Sequence, residues 1–141
     1  MSYDPNNVFA KILRGELPKF QVYEDARTLA FMDVMPQAEG HTLIIPKLAA
    51  SQDILDVPVE DLEAVIATTQ KVARAVKTAM DAPGVMVLQL SGAPAGQTVF
   101  HLHFHVIPRF HGLELKFHAR SMEAPEKLKA NADKIKAALA A

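Results

Sequence analysis

Residues 58–82 read PVEDLEAVIATTQKVARAVKTAMDA. Within this stretch Leu62, Val65, Ile66, Thr69, Val72, Ala73, Val76 and Met80 recur at helical spacing, so one apolar stripe runs along a single long helix. Pro58 suits a first helical position, and Glu60 and Asp61 suit the positive end of the helix dipole. Pro83-Gly84 ends the element. Upstream, residues 21–24 and 29–32 read as short strands around an Asp25-Ala26-Arg27 turn, and 36–40 as a loop. Residues 41–45 form a β-branched, apolar run that stops at Pro46, as a buried strand would. Nearer the start, Asn6 or Asn7 caps a short helix with Val8, Phe9, Ile12 and Leu13 on one side and Gly15 as its stop. Downstream of the long helix, 85–90 reads as a strand, 91–97 as a small, glycine-bearing loop and 98–107 as the next strand. Residues 125–141 make a terminal helix with Leu128, Ala132, Ile135 and Leu139 on one face. Strands and helices do not alternate one for one. This order predicts an α+β fold: an antiparallel sheet of about five strands, one long helix, a short N-terminal helix and a C-terminal helix.

A chain of 141 residues suits one domain, 1–141. Half of the residues are hydrophobic and 22% are charged, the profile of a soluble globular protein. A formal net charge of −1 gives no broad attraction to nucleic acid or to an anionic membrane, so any phosphate recognition must be local. The absence of cysteine excludes disulfides and thiolate metal sites. The first residues lack a basic start followed by a long apolar run, and no stretch approaches the roughly 18 apolar residues of a spanning helix. The expectation is a cytoplasmic protein with neither nucleic acid nor membrane as partner.

The chemistry concentrates in residues 92–109, GAPAGQTVFHLHFHVIPR. Alternate side chains of a strand share a face, so His101, His103 and His105 would lie together while Leu102, Phe104 and Val106 are buried on the other side. Half of the chain's 6 histidines fall in five consecutive positions. The rings could simply line a wet strand face, although neighbouring imidazoles resist joint protonation. They could supply two ligands to zinc, with a third from His41 or His111. Or a neutral imidazole could act as a nucleophile while its neighbours manage charge. The flanking residues favour the last reading. Gly92, Ala93, Pro94, Ala95 and Gly96 allow backbone N–H groups to approach an anion closely. Gln97 and Thr98 add an amide and a hydroxyl donor beside them.

These residues resemble the histidine triad family of nucleotide hydrolases and transferases. The signature His-φ-His-φ-His-φ-φ, with φ apolar, stands here as His101-Leu102-His103-Phe104-His105-Val106-Ile107, followed by Pro108-Arg109. Ala95-Gly96-Gln97-Thr98-Val99 matches the family's approach to the triad. Phe31-Met32-Asp33 and Gly40-His41-Thr42-Leu43-Ile44-Ile45-Pro46-Lys47 match its ribose-binding strand and the strand after it. The segment from Val8-Phe9-Ala10-Lys11-Ile12 to Glu16-Leu17-Pro18 fits too. The likeness covers roughly residues 5–110 and leaves 111–141 as a C-terminal extension.

The resemblance implies a homodimer that binds a purine nucleoside monophosphate, AMP or GMP, and cleaves a bond at its α-phosphate without a cofactor. It implies His103 as the nucleophile of a transient nucleotidyl-imidazole. His101 would orient it, partly through its carbonyl, His105 would assist the leaving group, and His41 would complete the cluster. Gly96, Gln97 and Thr98 would hold phosphate oxygens, and Asp33 the ribose. Phe9, Ile12, Leu17, Phe31 and Val34 would wall the base. Nucleoside phosphoramidates are the first expectation for the substrate. Dinucleoside polyphosphates, or a nucleotide-binding partner protein with incidental turnover, are the alternatives. Two positions depart from the family: Leu90 stands where asparagine is usual, and Ala49 where histidine often follows the lysine. With no cysteine either, no structural zinc is expected. His111 and His118 read as surface residues.

Overall fold

In the computed structural model, which describes residues 2–113 and 121–141, three helices flank one sheet. The elements are α1 (Val8–Leu13), β1 (Gln21–Glu24), β2 (Thr28–Met32), β3 (Thr42–Pro46), α2 (Val59–Ala79), β4 (Gly84–Leu88), β5 (Phe104–Arg109) and α3 (Pro125–Ala140). The sheet has the order β1-β2-β3-β5-β4, and every neighbouring pair is antiparallel. The architecture is thus the expected α+β arrangement. Among the described residues, no helix is long and apolar enough to cross a membrane.

Both faces of the sheet are covered, which is why β2 and β3 are buried along their whole length and read as continuous apolar runs. On one face, Val65, Val72 and Val76 of α2 and Leu128, Ala132 and Ile135 of α3 pack on Ala30, Ile44 and Val106. On the other, Phe9 and Ile12 of α1 pack on Leu29, Phe31, Leu43 and Ile45. His41, His101 and His103 are buried as well.

Several details differ from the sequence reading. Pro58 is the N-cap of α2, with ψ 143°, rather than its first helical residue. The buried face of α2 also includes Thr68, whose hydroxyl lies 2.7 Å from that of Thr28, while Ile66 turns outward at 45% exposure. The strand expected over 98–107 pairs only from Phe104 onward. The register sets Ile44 opposite Phe104, so two steps on Leu102 meets Pro46, which has no N–H to continue the ladder. Leu102 donates instead to the carbonyl of Ser51, 2.8 Å away. The chain bearing His101 and His103 therefore leaves the sheet before the triad ends.

Candidate active site

Four imidazoles come together on the α1 face. His103 and His105 have ring centroids 4.9 Å apart, and His105 and His41 5.2 Å. The ring of Phe9 meets His103 edge-on at 4.9 Å and His101 at 6.3 Å. Leu102, Phe104 and Val106 point into the opposite core, as alternation required.

Backbone groups decide which nitrogen of each ring carries its proton. Nδ1 of His103 lies 2.7 Å from the carbonyl oxygen of His101. A carbonyl only accepts, so Nδ1 is protonated and Nε2 keeps its lone pair. Nε2 of His101 lies 3.2 Å from the carbonyl of Pro46, so that nitrogen donates and Nδ1 accepts from the hydroxyl of Tyr3 at 2.7 Å. The backbone N–H of Gln37 donates to Nδ1 of His41 at 3.0 Å. A neutral His41 then carries its proton on Nε2 and donates to Nδ1 of His105, 2.9 Å away. That leaves the proton of His105 on its own Nε2. The tautomer of His105 thus follows from that of His41.

Burial keeps these rings neutral. It pushes His41 and His105 down to about 3 and His101 to about 4, with the neighbouring imidazoles adding to the shift, and it lowers His103 as well. Asp33 responds in the opposite sense. Burial raises its carboxyl to about 6 although the N–H of Met35 donates to it. The 3.5 Å approach of Asp33 to Nε2 of His41 joins a carboxylate to a neutral ring and is not an ion pair.

Asp33, His41 and His105 offer three ligand atoms within 4.8 Å of one another. As bonded, they do not fit a cation. Nδ1 of His41 receives the Gln37 N–H and Nε2 donates to His105, so that ring has no lone pair to give. His111 is exposed, and His118 lies outside the described residues.

The glycine-bearing loop is organised differently from the expectation. Ala93–Ala95 form a single 3-10 turn between Gly92 and Gly96, whose φ values are +89° and +108°. The N–H groups of Ala95, Gly96 and Gln97 bond to carbonyls within this loop. The buried Gln97 amide donates to the carbonyls of Gln52 and Val99 and accepts from the N–H of Gly92. A phosphate contact through the Gln97 side chain, or through the Gly96 N–H, would require one of these bonds to open. Thr98 is exposed and faces no such demand. Phe9, Ile12 and Phe31 share the cluster on the α1 face. Val34 does not join them, because it packs against the α2–α3 core on the other side, and Leu17 stands at 36% exposure. Sequence reasoning missed Tyr3, and with it the backbone groups of Gln37, Pro46 and Ser51. No local signal marked the Tyr3 contact, whose partner lies 98 residues away in the chain.

The HIT domain family matches residues 14–112. A HIT-like protein of Borreliella burgdorferi is 44% identical over 105 residues, covering 73% of this chain and 75% of that one. An adenosine 5′-monophosphoramidase of Candida albicans is 37% identical over 106 residues, covering 72% and 69%. Among solved structures, a HIT-like protein of Bartonella henselae, crystallised with an unknown ligand, aligns with a TM-score of 0.92 at 50% identity over 98% of this chain and 99% of that one. A zinc-bound histidine triad protein of Mycobacterium smegmatis aligns with a TM-score of 0.83 at 36% identity, covering 96% and 94%. With the four-ring cluster on the fold these proteins share, the chain belongs to the histidine triad family.

Proposed function

We propose that the chain is a nucleotide-binding hydrolase that cleaves purine nucleoside phosphoramidates at the α-phosphate through a covalent intermediate on His103. One observation carries this reading. The His101 carbonyl takes the Nδ1 proton of His103 at 2.7 Å, so the lone pair of Nε2 is committed to nothing else. The Nε2 lone pair attacks phosphorus and the P–N bond to the leaving amine breaks as that nitrogen, held by the Nε2–H of His105, takes a proton from solvent. The phosphorylated ring of His103 is then cationic, and the His101 carbonyl stabilises its Nδ1–H. Water next attacks phosphorus, its proton returns to solvent, and the P–Nε2 bond breaks to free the monophosphate and the neutral ring. Asp33 accepts hydrogen bonds from the ribose diol, and Phe9, Ile12 and Phe31 line the base site. Thr98 contacts a phosphate oxygen. No metal takes part, since the His41 ring is fully engaged. The Candida albicans phosphoramidase, a relative at 37% identity, supports this choice of leaving group.

The test is to mix the protein with an adenosine phosphoramidate, quench, and look for an added nucleotide mass on His103. Full turnover by His103→Ala would sink the proposal. A side-by-side panel with dinucleoside polyphosphates decides the leaving group.

The functional unit is a homodimer in this proposal. β4 is an edge strand whose apolar residues are only part-buried, with Val87 46% exposed. An exposed apolar edge is a pairing site unless something covers it. A monomeric mass in solution at micromolar concentration would contradict the dimer.

A further inference from the structure

Residues 3–7 form a turn that carries Tyr3 to the triad. Asp4 accepts from the N–H of Asn6 at 2.8 Å, and its carbonyl takes the side-chain amide of Asn7 at 2.8 Å. Asn7 in turn caps α1 through the N–H of Ala10. This turn fixes the direction in which Tyr3 leaves the helix. The Tyr3 ring lies edge-on to His101, with centroids 5.7 Å apart, and its hydroxyl reaches Nδ1 at 2.7 Å.

We infer that Tyr3 is a positioning residue for the nucleophile, holding the His101 ring so that the His101 carbonyl stays aimed at Nδ1–H of His103. The inference rests on the reading of His103 as nucleophile. The His101 carbonyl belongs to a stretch outside the sheet ladder, so the sheet does not fix it. Its peptide is held on one side by the Leu102 N–H, which donates to Ser51. On the other side it follows the His101 ring, which is pinned between the Tyr3 hydroxyl and the Pro46 carbonyl. The donated hydroxyl proton has a second consequence. It occupies the only lone pair of His101, so this ring stays neutral beside a His103 that becomes cationic in the intermediate. Without the hydroxyl, a buried acceptor is left unpaired, and the ring can tilt or take up a proton.

Tyr3→Phe keeps the packed ring and removes only the hydroxyl. It is expected to lower kcat roughly three- to tenfold, the scale of one hydrogen bond, with KM unchanged. In a His101→Asn background the same substitution is expected to have no further effect, because the path through His101 is already broken. Unchanged kcat, an effect confined to KM, or equal losses in both backgrounds would overturn the inference. Nitrogen NMR of the histidine rings reads the contact without turnover. The Nδ1 signal of His101 should move in Tyr3→Phe. If it does not move, the positioning role fails while the hydrolase reading stands. A wild-type protein that forms no adduct on His103 would bring down both.

Discussion

Nε2 of His41 lies 2.9 Å from Nδ1 of His105, and the direction of this hydrogen bond is set from behind by the Gln37 N–H on Nδ1 of His41. His41 therefore presents His105 to the substrate side with its proton on Nε2. Removing His41 takes away both the donor that fixes this tautomer and the contact that holds the His105 ring in place. His41→Ala is expected to lower kcat roughly 10- to 100-fold on alkylamine phosphoramidates, the scale of a hydrogen bond to a charged group. A nucleotide ester whose leaving group departs as a stable anion needs no such hydrogen bond, and there the loss should shrink to a few-fold. Equal losses on both substrates would refute the role given to His105.

Asp33 carries a penalty for its place in the site. A buried carboxyl with a pKa near 6 in the fold and 3.8 outside it destabilises the protein once pH exceeds the lower value, and the full penalty, about 3 kcal/mol, is present above the upper one. Asp33→Asn keeps an oxygen for the Met35 N–H and removes the charge. It is expected to raise the unfolding midpoint in urea at pH 8 while raising KM for any ribonucleotide substrate. The same pKa predicts that wild-type KM rises as pH falls through 6, with kcat changing less because the rings stay neutral there. A variant that is no more stable at pH 8, or that binds ribonucleotide as well as wild type, would contradict this account.

The long helix, the buried strands and the histidine spacing were legible because each depends on local periodicity. The apolar stripe of residues 58–82 and the alternation around His103 are properties of the chain itself. What could not be read was which backbone groups meet the rings. The His101, Pro46 and Gln37 contacts are made by carbonyls and N–H groups, which every residue possesses, so no residue type marks them. Val34 failed for a related reason. It sits one residue past Asp33, and the chain turns there, sending it to the α2–α3 core. Gln97 was recognised as polar and near the triad, but its three backbone partners lie on the loop itself and on Gln52 across from it.

The histidine cluster makes the fold sensitive to acid. In the unfolded chain a histidine takes a proton near pH 6.5, whereas His41 and His105 resist it until about 3 and His101 until about 4. Below pH 6.5 the unfolded state therefore binds more protons, and stability is lost as pH falls from there toward the folded values. At pH 5 the loss is roughly 2 kcal/mol per ring. Asp33 works in the opposite direction and offsets about 1 kcal/mol. Urea titrations at pH 7 and pH 5 should show the midpoint falling steeply, on a scale comparable with the whole stability of a small domain. Replacing His101 with Gln, which does not titrate, should flatten that dependence. An identical pH slope in His101→Gln would show that the ring does not resist protonation.

Gly40, immediately before His41, has φ +95°, and a Cβ there would meet Cγ of Met80 at 2.6 Å and Sδ at 2.8 Å. Two separate costs oppose a side chain at this position. The positive φ strains any L residue by about 1–2 kcal/mol, and the contact with the end of α2 adds overpacking of about 1–3 kcal/mol. Gly40→Ala is expected to lose both. Met80→Ala in the same molecule should recover only the contact part, since it leaves the backbone unchanged. The shift also reaches the site, because the Gly40 carbonyl accepts from the Thr42 hydroxyl at 2.8 Å and His41 lies between them. Unfolding in urea measures the two energies, and turnover of a phosphoramidate measures the displacement of His41. If Gly40→Ala proves as stable as the wild type, the backbone at residue 40 has a different conformation. If the double variant regains stability fully, the strain at φ is negligible and the contact alone explains the glycine.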